Sequence, residues 1–227
     1  MTRRVIASMR VGLGLLLLLA SAPFALEAQR APVEIEKLQL DVHLDPDEQV
    51  LSAKANLVLR NRSGNHVEVV ELFIPGPLGA RAQVERAWDY HGQLAFRGDP
   101  VETNQSQQIQ VALRSPLKPG GKQRIVLSYT LALNGLPNSP TGTALSPKRA
   151  QLAAAGWYPA PAVSAPPRHI LLAVRLPKEW RVWALAKPKR VLEGTAMASY
   201  EVTIKNALAD VVLFRAAAPA APEQDPE

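Results

Sequence analysis

The sequence contains no cysteine among its 227 residues. Disulfide bonds, thiolate zinc sites, cysteine nucleophiles and a lipid-modified N-terminal cysteine are therefore all excluded. Aromatic residues are scarce at 5%, whereas hydrophobic residues make up 47% of the chain. That hydrophobic content and length are enough for one well-buried domain, and they argue against a chain that is disordered throughout.

Residues 1–28 are predicted to be a signal peptide. Three arginines form a basic opening: Arg3, Arg4 and Arg10. The apolar run Val11–Ala20 follows, and small residues continue to Ala28, near which cleavage is expected. The alternative is an uncleaved anchor, but the apolar stretch ending at Leu26 spans roughly 24 Å as a helix, short of a ~30 Å bilayer core. Cleavage predicts a periplasmic or extracellular protein without a membrane span.

The mature protein is predicted to hold one β domain over residues 29–216 and a solvated, disordered tail over 217–227. Its Ala/Pro-rich, cysteine-free composition indicates a bacterial export context. The formal charge of the full sequence is +6, and the basic residues are scattered apart from Lys148-Arg149 and Lys187–Arg190. Nucleic-acid binding would need a clustered basic stripe with aromatic platforms, so it is not predicted.

The clearest structural pattern is the alternation of Gln123–Leu133. One face carries Ile125, Leu127, Tyr129, Leu131 and Leu133. Further alternating runs lie at 38–44, 51–59, 67–74, 84–90, 107–113, 170–176, 182–186, 200–204 and 211–214. Turn signals separate these runs at roughly 8–12-residue spacing, and only 151–155 hints at a short helix. The pattern predicts an all-β, antiparallel sandwich.

Residues 134–168 lack a sustained period and are predicted to form a long surface excursion. It contains Trp157 and Tyr158, which are residue types enriched in interface hot spots. These two residues are therefore the candidate partner-binding residues. The alternative is that both rings are buried and close the end of the sandwich. Trp157, Tyr158, Trp180 and Trp183 together offer material for an exposed patch, but at least half of these four side chains are expected to be buried.

Two smaller patterns also have competing interpretations. Asp45, Asp47 and Glu48 offer oxygen ligands for a hard cation, but they lack the spacing of a calcium loop, so a capped turn is favoured. The triplets that begin at Asn61 and Asn104 match the glycosylation sequon. Such triplets are common by chance and mean little in a bacterial protein.

Several short motifs follow one another in a characteristic order. They are a strand, an LDP turn and a strand ending in Arg-Asn-Arg-Ser at 38–63, a strand reaching glycine at 84–92, LKPGGKQRIVLSYTLALNG at 117–135, Trp-Tyr-Pro at 157–159, and a strand ending in tryptophan at 172–180. Their order resembles the N-terminal β domain of the zinc aminopeptidases related to aminopeptidase N. The resemblance covers about residues 33–216 and implies a saddle-like, multi-stranded β domain.

In that family, the chemistry belongs to a separate helical domain with His-Glu-x-x-His and Gly-x-Met-Glu-Asn motifs, and this sequence contains neither. Two histidines at i and i+4 bind zinc from one helix face. The four histidines here, His43, His66, His91 and His169, are all too far apart in sequence for that arrangement. No catalytic residue, metal site or cofactor is therefore predicted.

Two functions remain open. The first is an exported, non-catalytic module that binds an unidentified protein or peptide. The second is the β-domain subunit, or a fragment, of a zinc metallo-aminopeptidase whose catalytic domain is on another polypeptide. The missing motifs favour the first, because a motif absence is firmer than an analogy of fold.

Overall fold

The computed structural model describes residues 32–74, 82–100, 107–132, 144–146, 149–152, 157–161, 167, 170–184, 187–193, 196–204 and 211–215. The predicted signal peptide and the predicted tail lie outside these residues, so both stay predictions. Within the described parts of the protein, all regular elements are β-strands, and no helix has the length and apolar character needed to cross a membrane.

The described residues form fifteen strands. They are β1 (Val33–Asp45), β2 (Val50–Asn61), β3 (Val67–Ile74), β4 (Ala82–Asp89), β5 (Gly92–Gln93), β6 (Phe96–Pro100), β7 (Gln107–Leu117), β8 (Lys122–Ala132), β9 (Ala144–Ser146), β10 (Arg149–Leu152), β11 (Ile170–Pro177), β12 (Trp180–Ala184), β13 (Lys189–Glu193), β14 (Met197–Ile204) and β15 (Val211–Arg215). The prediction of an all-β fold is confirmed.

The strands form three sheets. The large sheet has eight strands in the order β13-β14-β11-β1-β2-β8-β4-β5. A four-stranded sheet has the order β12-β15-β10-β9, and a three-stranded sheet has the order β3-β7-β6. Strand pairing is antiparallel throughout these sheets except between β1 and β11, where Leu40 lies opposite Leu172 in a parallel register. A parallel pair needs a long crossover, and the intervening strands of all three sheets provide it.

One face of the large sheet carries the core. Alternate residues of its strands are buried, and their cluster includes residues from both smaller sheets. Tyr129 and Tyr200 lie in the same cross-strand row, linked through the β2, β1 and β11 residues Ala53, Val42 and Val174. Since both tyrosines point into the core, the smaller sheets cover the same face of the large one.

The central-strand prediction is confirmed on β8. Ile125, Leu127, Tyr129 and Leu131 are all buried on the core face, while Leu133 lies outside the described residues. β8 pairs with β2 along its whole length and with β4 on its other side. Its alternation is long and regular because one face is fully covered and the other only partly.

Two sequence expectations differ from the structure. The stretch 134–168 contains the short strands β9 and β10, which pair with each other, and β10 also pairs with β15. The helix hint at 151–155 is wrong at Gln151 and Leu152, which belong to β10, and residues 153–155 lie outside the described residues. A four-residue strand is too short to show a period, so tertiary pairing decides its conformation.

Candidate functional site

Trp157 and Tyr158 are buried, each with 2% of its surface exposed. Their rings meet edge to face, with centroids 5.6 Å apart and planes at 88°. This is a favourable arrangement for two aromatic quadrupoles. Burial raises the pKa of the Tyr158 hydroxyl to about 12, so the residue is neutral across the physiological range.

Two contacts hold this aromatic pair in the fold. The Tyr129 hydroxyl donates a hydrogen bond to the carbonyl oxygen of Trp157 at 2.9 Å. Burial, and to a smaller extent the neighbouring Tyr158, raise the pKa of Tyr129. Ala160 exchanges two backbone hydrogen bonds with Phe73 of β3, at 2.7 and 2.9 Å. The segment 157–161 is therefore fixed between the large sheet and β3.

The candidate partner-binding residues thus lie in the core of the described residues. Their burial fits the alternative in which the pair closes the end of the sandwich, and their binding role stays a prediction. Trp180 is also buried, and the Tyr200 hydroxyl donates to its carbonyl oxygen at 3.3 Å. Trp183, on β12, differs from these, because 57% of its surface is exposed.

The acidic residues considered for metal binding, Asp45, Asp47 and Glu48, lie at the turn that follows β1. Asp45 Oδ1 accepts hydrogen bonds from the backbone N–H groups of Asp47 and Glu48 at 3.1 and 3.0 Å. This is the capped turn that the sequence favours. No group of three or more His, Asp or Glu side chains suited to a metal ion occurs within the described residues, and His169 lies outside them.

A buried polar hub that sequence reasoning missed lies at Asn61, where β2 ends. Its Nδ2 donates to the carbonyl oxygens of Asn65 and Leu117 at 2.7 and 2.8 Å. Its Oδ1 accepts from the backbone N–H and hydroxyl of Ser63. Because this amide is fully buried and hydrogen-bonded, the sequon interpretation has no accessible nitrogen in the folded protein. The hub joins the turn after β2 to the turn between β7 and β8, two strands that belong to different sheets.

The turn between β7 and β8 has the sequence pattern of a type II turn. Pro119 occupies the second position, and Gly120 occupies the third with φ of +70°. The N–H of Gly121 closes the turn on the carbonyl oxygen of Lys118 at 2.9 Å. Gly120 and Gly121 also hydrogen-bond through their backbones to Asn61. Asn61 therefore fixes the turn that presents Lys118.

A cleft of about 500 Å³ lies between the β7–β8 turn and the hairpin turn that joins β4 to β5. We call it the hairpin cleft, after the β4–β5 hairpin; it is lined by 89–91, 114–118 and 121–124. The antiparallel pairing of β4 with β8 brings the end of one strand beside the start of the other. Sequence reasoning missed the cleft because its walls come from separate stretches, although the Asp-Tyr-His-Gly and LKPGGK turns are both visible in the sequence.

Asp89 anchors one wall of the hairpin cleft. Its Oδ1 accepts from the backbone N–H of His91 at 2.8 Å, and its Oδ2 lies 3.5 Å from Arg114 Nε. Burial pushes the pKa of Asp89 upward, but the hydrogen bonds from His91 and Arg114 and the arginine charge outweigh it and lower the pKa. Arg114 also donates to the carbonyl oxygen of Gln93 at 3.2 Å. This wall is held by charge-assisted hydrogen bonds.

A second cleft, of about 370 Å³, lies on the polar face of the large sheet. Its lining mixes acidic and basic side chains: Asp41, His43, Lys54, Glu85 and Arg175. Lys54 Nζ also lies 5.3 Å from the Trp88 ring centroid, a cation–π contact that engages the lysine within the protein. The mixed charges give this second cleft no preference for a ligand of one sign.

The fold is similar to that of solved zinc metallopeptidases. The M1 zinc metallopeptidase from Deinococcus radiodurans matches with a TM-score of 0.63 and 19% identity, over 82% of the present protein and 42% of that one. A mutant of it bound to a Tyr-Ser-Ala substrate matches with a TM-score of 0.63 and 17% identity, over 86% of the present protein and 51% of that one. No protein-family profile matches the sequence, and no curated protein matches it significantly.

These comparisons confirm the predicted resemblance at the level of fold. The described strands match the N-terminal β domain of M1 metallopeptidases. The identities are below 20%, so the likeness concerns architecture and carries no activity with it. The present protein spans only 42% to 51% of the length of these matched structures.

Proposed function

We propose that this protein is an exported, non-catalytic β module that binds a protein or peptide partner. One observation carries the proposal: it has the fold of a metallopeptidase β domain, while its sequence contains neither His-Glu-x-x-His nor Gly-x-Met-Glu-Asn. A β domain without these motifs retains surfaces for recognition but lacks the helix-borne zinc ligands of the enzyme. The basic and apolar pattern of residues 1–28 supports export.

Catalysis is tested on the purified full-length protein. We expect no stoichiometric zinc by elemental analysis and no release of amino acids from aminoacyl reporter substrates. The result that overturns the non-catalytic role is one zinc per molecule after mild chelation, together with a peptidase rate that a point mutation in this protein abolishes.

Export is tested by expressing the protein with its own N-terminus in a Gram-negative host. Fractionation is expected to place the protein in the periplasm or the medium, and mass spectrometry is expected to find a new N-terminus near Ala28. An intact N-terminus in the membrane fraction would show the uncleaved anchor instead.

The second candidate function is a β-domain subunit, or a fragment, of a zinc metallo-aminopeptidase. It is favoured by one observation, that the matched fold occurs in polypeptides about twice as long as the matched part. Affinity capture from the exported fraction separates the two functions. A captured protein that carries His-Glu-x-x-His, holds zinc and cleaves aminoacyl reporters supports the second function; a captured protein without these properties supports the first.

A further inference from the structure

The lining of the hairpin cleft is strongly basic. Four of its side chains are cationic: Arg114, Lys118, Lys122 and Arg124. Asp89 is the acidic residue in the lining, so the formal charge of the cleft is +3 (four positive, one negative). A concave surface of one sign attracts ligands of the opposite sign, since its field is focused by the low-dielectric walls.

Part of this positive charge is not neutralised within the protein. Lys122 pairs with Glu36 at 2.7 Å, and Arg114 lies 3.5 Å from Asp89. Arg124 donates to Asn56 Oδ1 at 2.9 Å, which is a neutral acceptor and leaves the charge in place. Among the described residues, no carboxylate lies within ion-pair distance of Lys118 or Arg124.

An exposed aromatic residue stands at the rim of the hairpin cleft. Tyr90 is 95% exposed, and its ring meets that of His91 edge to face with centroids 5.3 Å apart. A tyrosine supplies a large contact area at a small cost in side-chain entropy, which is why tyrosines are enriched among interface hot spots. The rim therefore adds an apolar contact beside the cationic lining.

The two walls are held in place without a ligand. Asn61 fixes the turn of Lys118, and Asp89 fixes the turn of Tyr90 and His91. A site that is already ordered loses little conformational entropy on binding, so more of the contact energy appears as affinity. The second cleft has mixed charges, so unlike the hairpin cleft it does not favour acidic ligands over basic ones.

We propose that the hairpin cleft binds an acidic segment of a peptide or protein, with carboxylates at Lys118 and Arg124 and Tyr90 packed against the segment. This inference rests on the proposed binding role and names its site and ligand class. A carboxylate can come from Asp and Glu side chains or from the carboxyl terminus of the ligand, and both suit a guanidinium and an ammonium group. Single-stranded nucleic acid is less well suited, because Tyr90 and His91 give one stacking position and not a row of them.

The test is fluorescence anisotropy with the full-length protein and a labelled, C-terminally amidated peptide of about ten residues that alternates Glu and Ala. We expect Lys118→Glu and Arg124→Glu each to weaken binding at least about tenfold, a change of about 1.4 kcal/mol. Lys187→Glu is the matched control, because it makes the same charge change next to β13, at the opposite edge of the large sheet. We expect it to weaken binding less than about twofold.

Further arms identify the source of the carboxylate and the role of the rim. A peptide with Gln in place of Glu and an amidated C-terminus is expected to bind at least about tenfold more weakly. If the cleft binds the terminal carboxylate of its ligand, the same Gln peptide with a free C-terminus is expected to bind as well as the Glu peptide. Tyr90→Ser is expected to weaken binding with the charge unchanged. Circular dichroism checks the fold of each variant, and Lys118→Gln replaces Lys118→Glu if the latter is misfolded.

Four outcomes overturn the inference. In the first, the acidic peptide does not bind the wild-type protein; in the second, Lys187→Glu weakens binding as much as Lys118→Glu and Arg124→Glu do. In the third, the amidated Gln peptide binds as tightly as the Glu peptide; in the fourth, a single-stranded DNA oligonucleotide binds more tightly than the Glu peptide through the same residues. If affinity capture of a partner is unchanged by Lys118→Glu and Arg124→Glu, this inference fails while the proposed function stands. If the protein proves to be a zinc peptidase, the proposed function fails while the anisotropy result stands.

Discussion

Aromatic residues are buried in the segment at Trp157 but exposed at the rim of the hairpin cleft. Trp157 and Tyr158 are aromatic residues in a stretch without period, yet both lie in the core, and the Trp157 carbonyl oxygen accepts a hydrogen bond from Tyr129. Tyr90, in an ordinary hairpin turn, is almost fully exposed beside a basic cleft. The difference shows that residue type and loop context do not determine exposure; the covering sheets do.

The largest effect is expected from Trp157→Ala, which tests whether this segment is structural. Removing a buried indole costs about 3–5 kcal/mol, so the melting temperature is expected to fall by several degrees or more. Thermal unfolding by circular dichroism measures it. A melting temperature near that of the wild type, combined with lost partner capture, would show that Trp157 contacts the partner and is not needed for the fold.

Leu127→Ala tests the core on β8. This strand contacts Trp157 through Tyr129 and contributes residues 122–124 to the lining of the hairpin cleft. Leu127 is fully buried in the middle of β8, so the cavity is expected to cost about 2–5 kcal/mol. Urea denaturation with linear extrapolation gives the free energy of unfolding. Ser128→Ala is a suitable control, because its side chain lies on the opposite, half-buried face. A loss below about 0.5 kcal/mol for Leu127→Ala would contradict the burial of this face.

Asn61→Ala sharpens the comparison, since this residue supports the cleft without lining it. The substitution leaves the carbonyl oxygen of Leu117 without its amide partner, which is expected to cost about 1–3 kcal/mol. Hydrogen exchange is expected to rise first at Gly120 and Gly121. Uniform exchange across all strands, with no excess at this turn, would mean that Asn61 stabilises the domain only globally.

The smallest effect is expected from Asp89→Asn, and it depends on pH. The pKa of Asp89 is lowered in the folded protein, so its ionised form adds stability above the unfolded value of about 4. That contribution is lost as the pH falls through the folded pKa. The wild type is therefore expected to be more stable than Asp89→Asn at pH 7, with the difference vanishing in acid. A difference that does not change with pH would assign the effect to packing.

The sequence predicts the strands well where they are long. The alternation through Leu127 and Tyr129 continues over eleven residues, and such a pattern fits only a strand with one covered face. It does not reveal that β1 pairs in parallel with β11, because parallel and antiparallel strands share the period of two. β10 escapes prediction because tertiary pairing, not local pattern, makes four residues a strand.

The candidate site is harder to predict than the fold. The hairpin cleft combines the turn between β7 and β8 with the turn after β4, and the β4–β8 pairing that brings these two turns together is not indicated by any local motif. Asn61 is visible in the sequence only as a sequon, since nothing in its neighbourhood indicates a bond to Leu117, 56 residues away. Trp157 stands out by residue type, and its burial depends on the sheets that cover it.

The hydroxyls of Tyr129 and Tyr200 have a consequence for how uniquely the protein folds. They lie in one cross-strand row, four strand spacings apart, or roughly 19 Å. Each reaches a carbonyl oxygen in the covering layer, at Trp157 and Trp180. If either strand shifted by one residue, its tyrosine would turn to the opposite face and lose its hydrogen bond to the covering layer. These two hydrogen bonds, made far apart in the sheet, disfavour competing strand registers in addition to any stability they contribute.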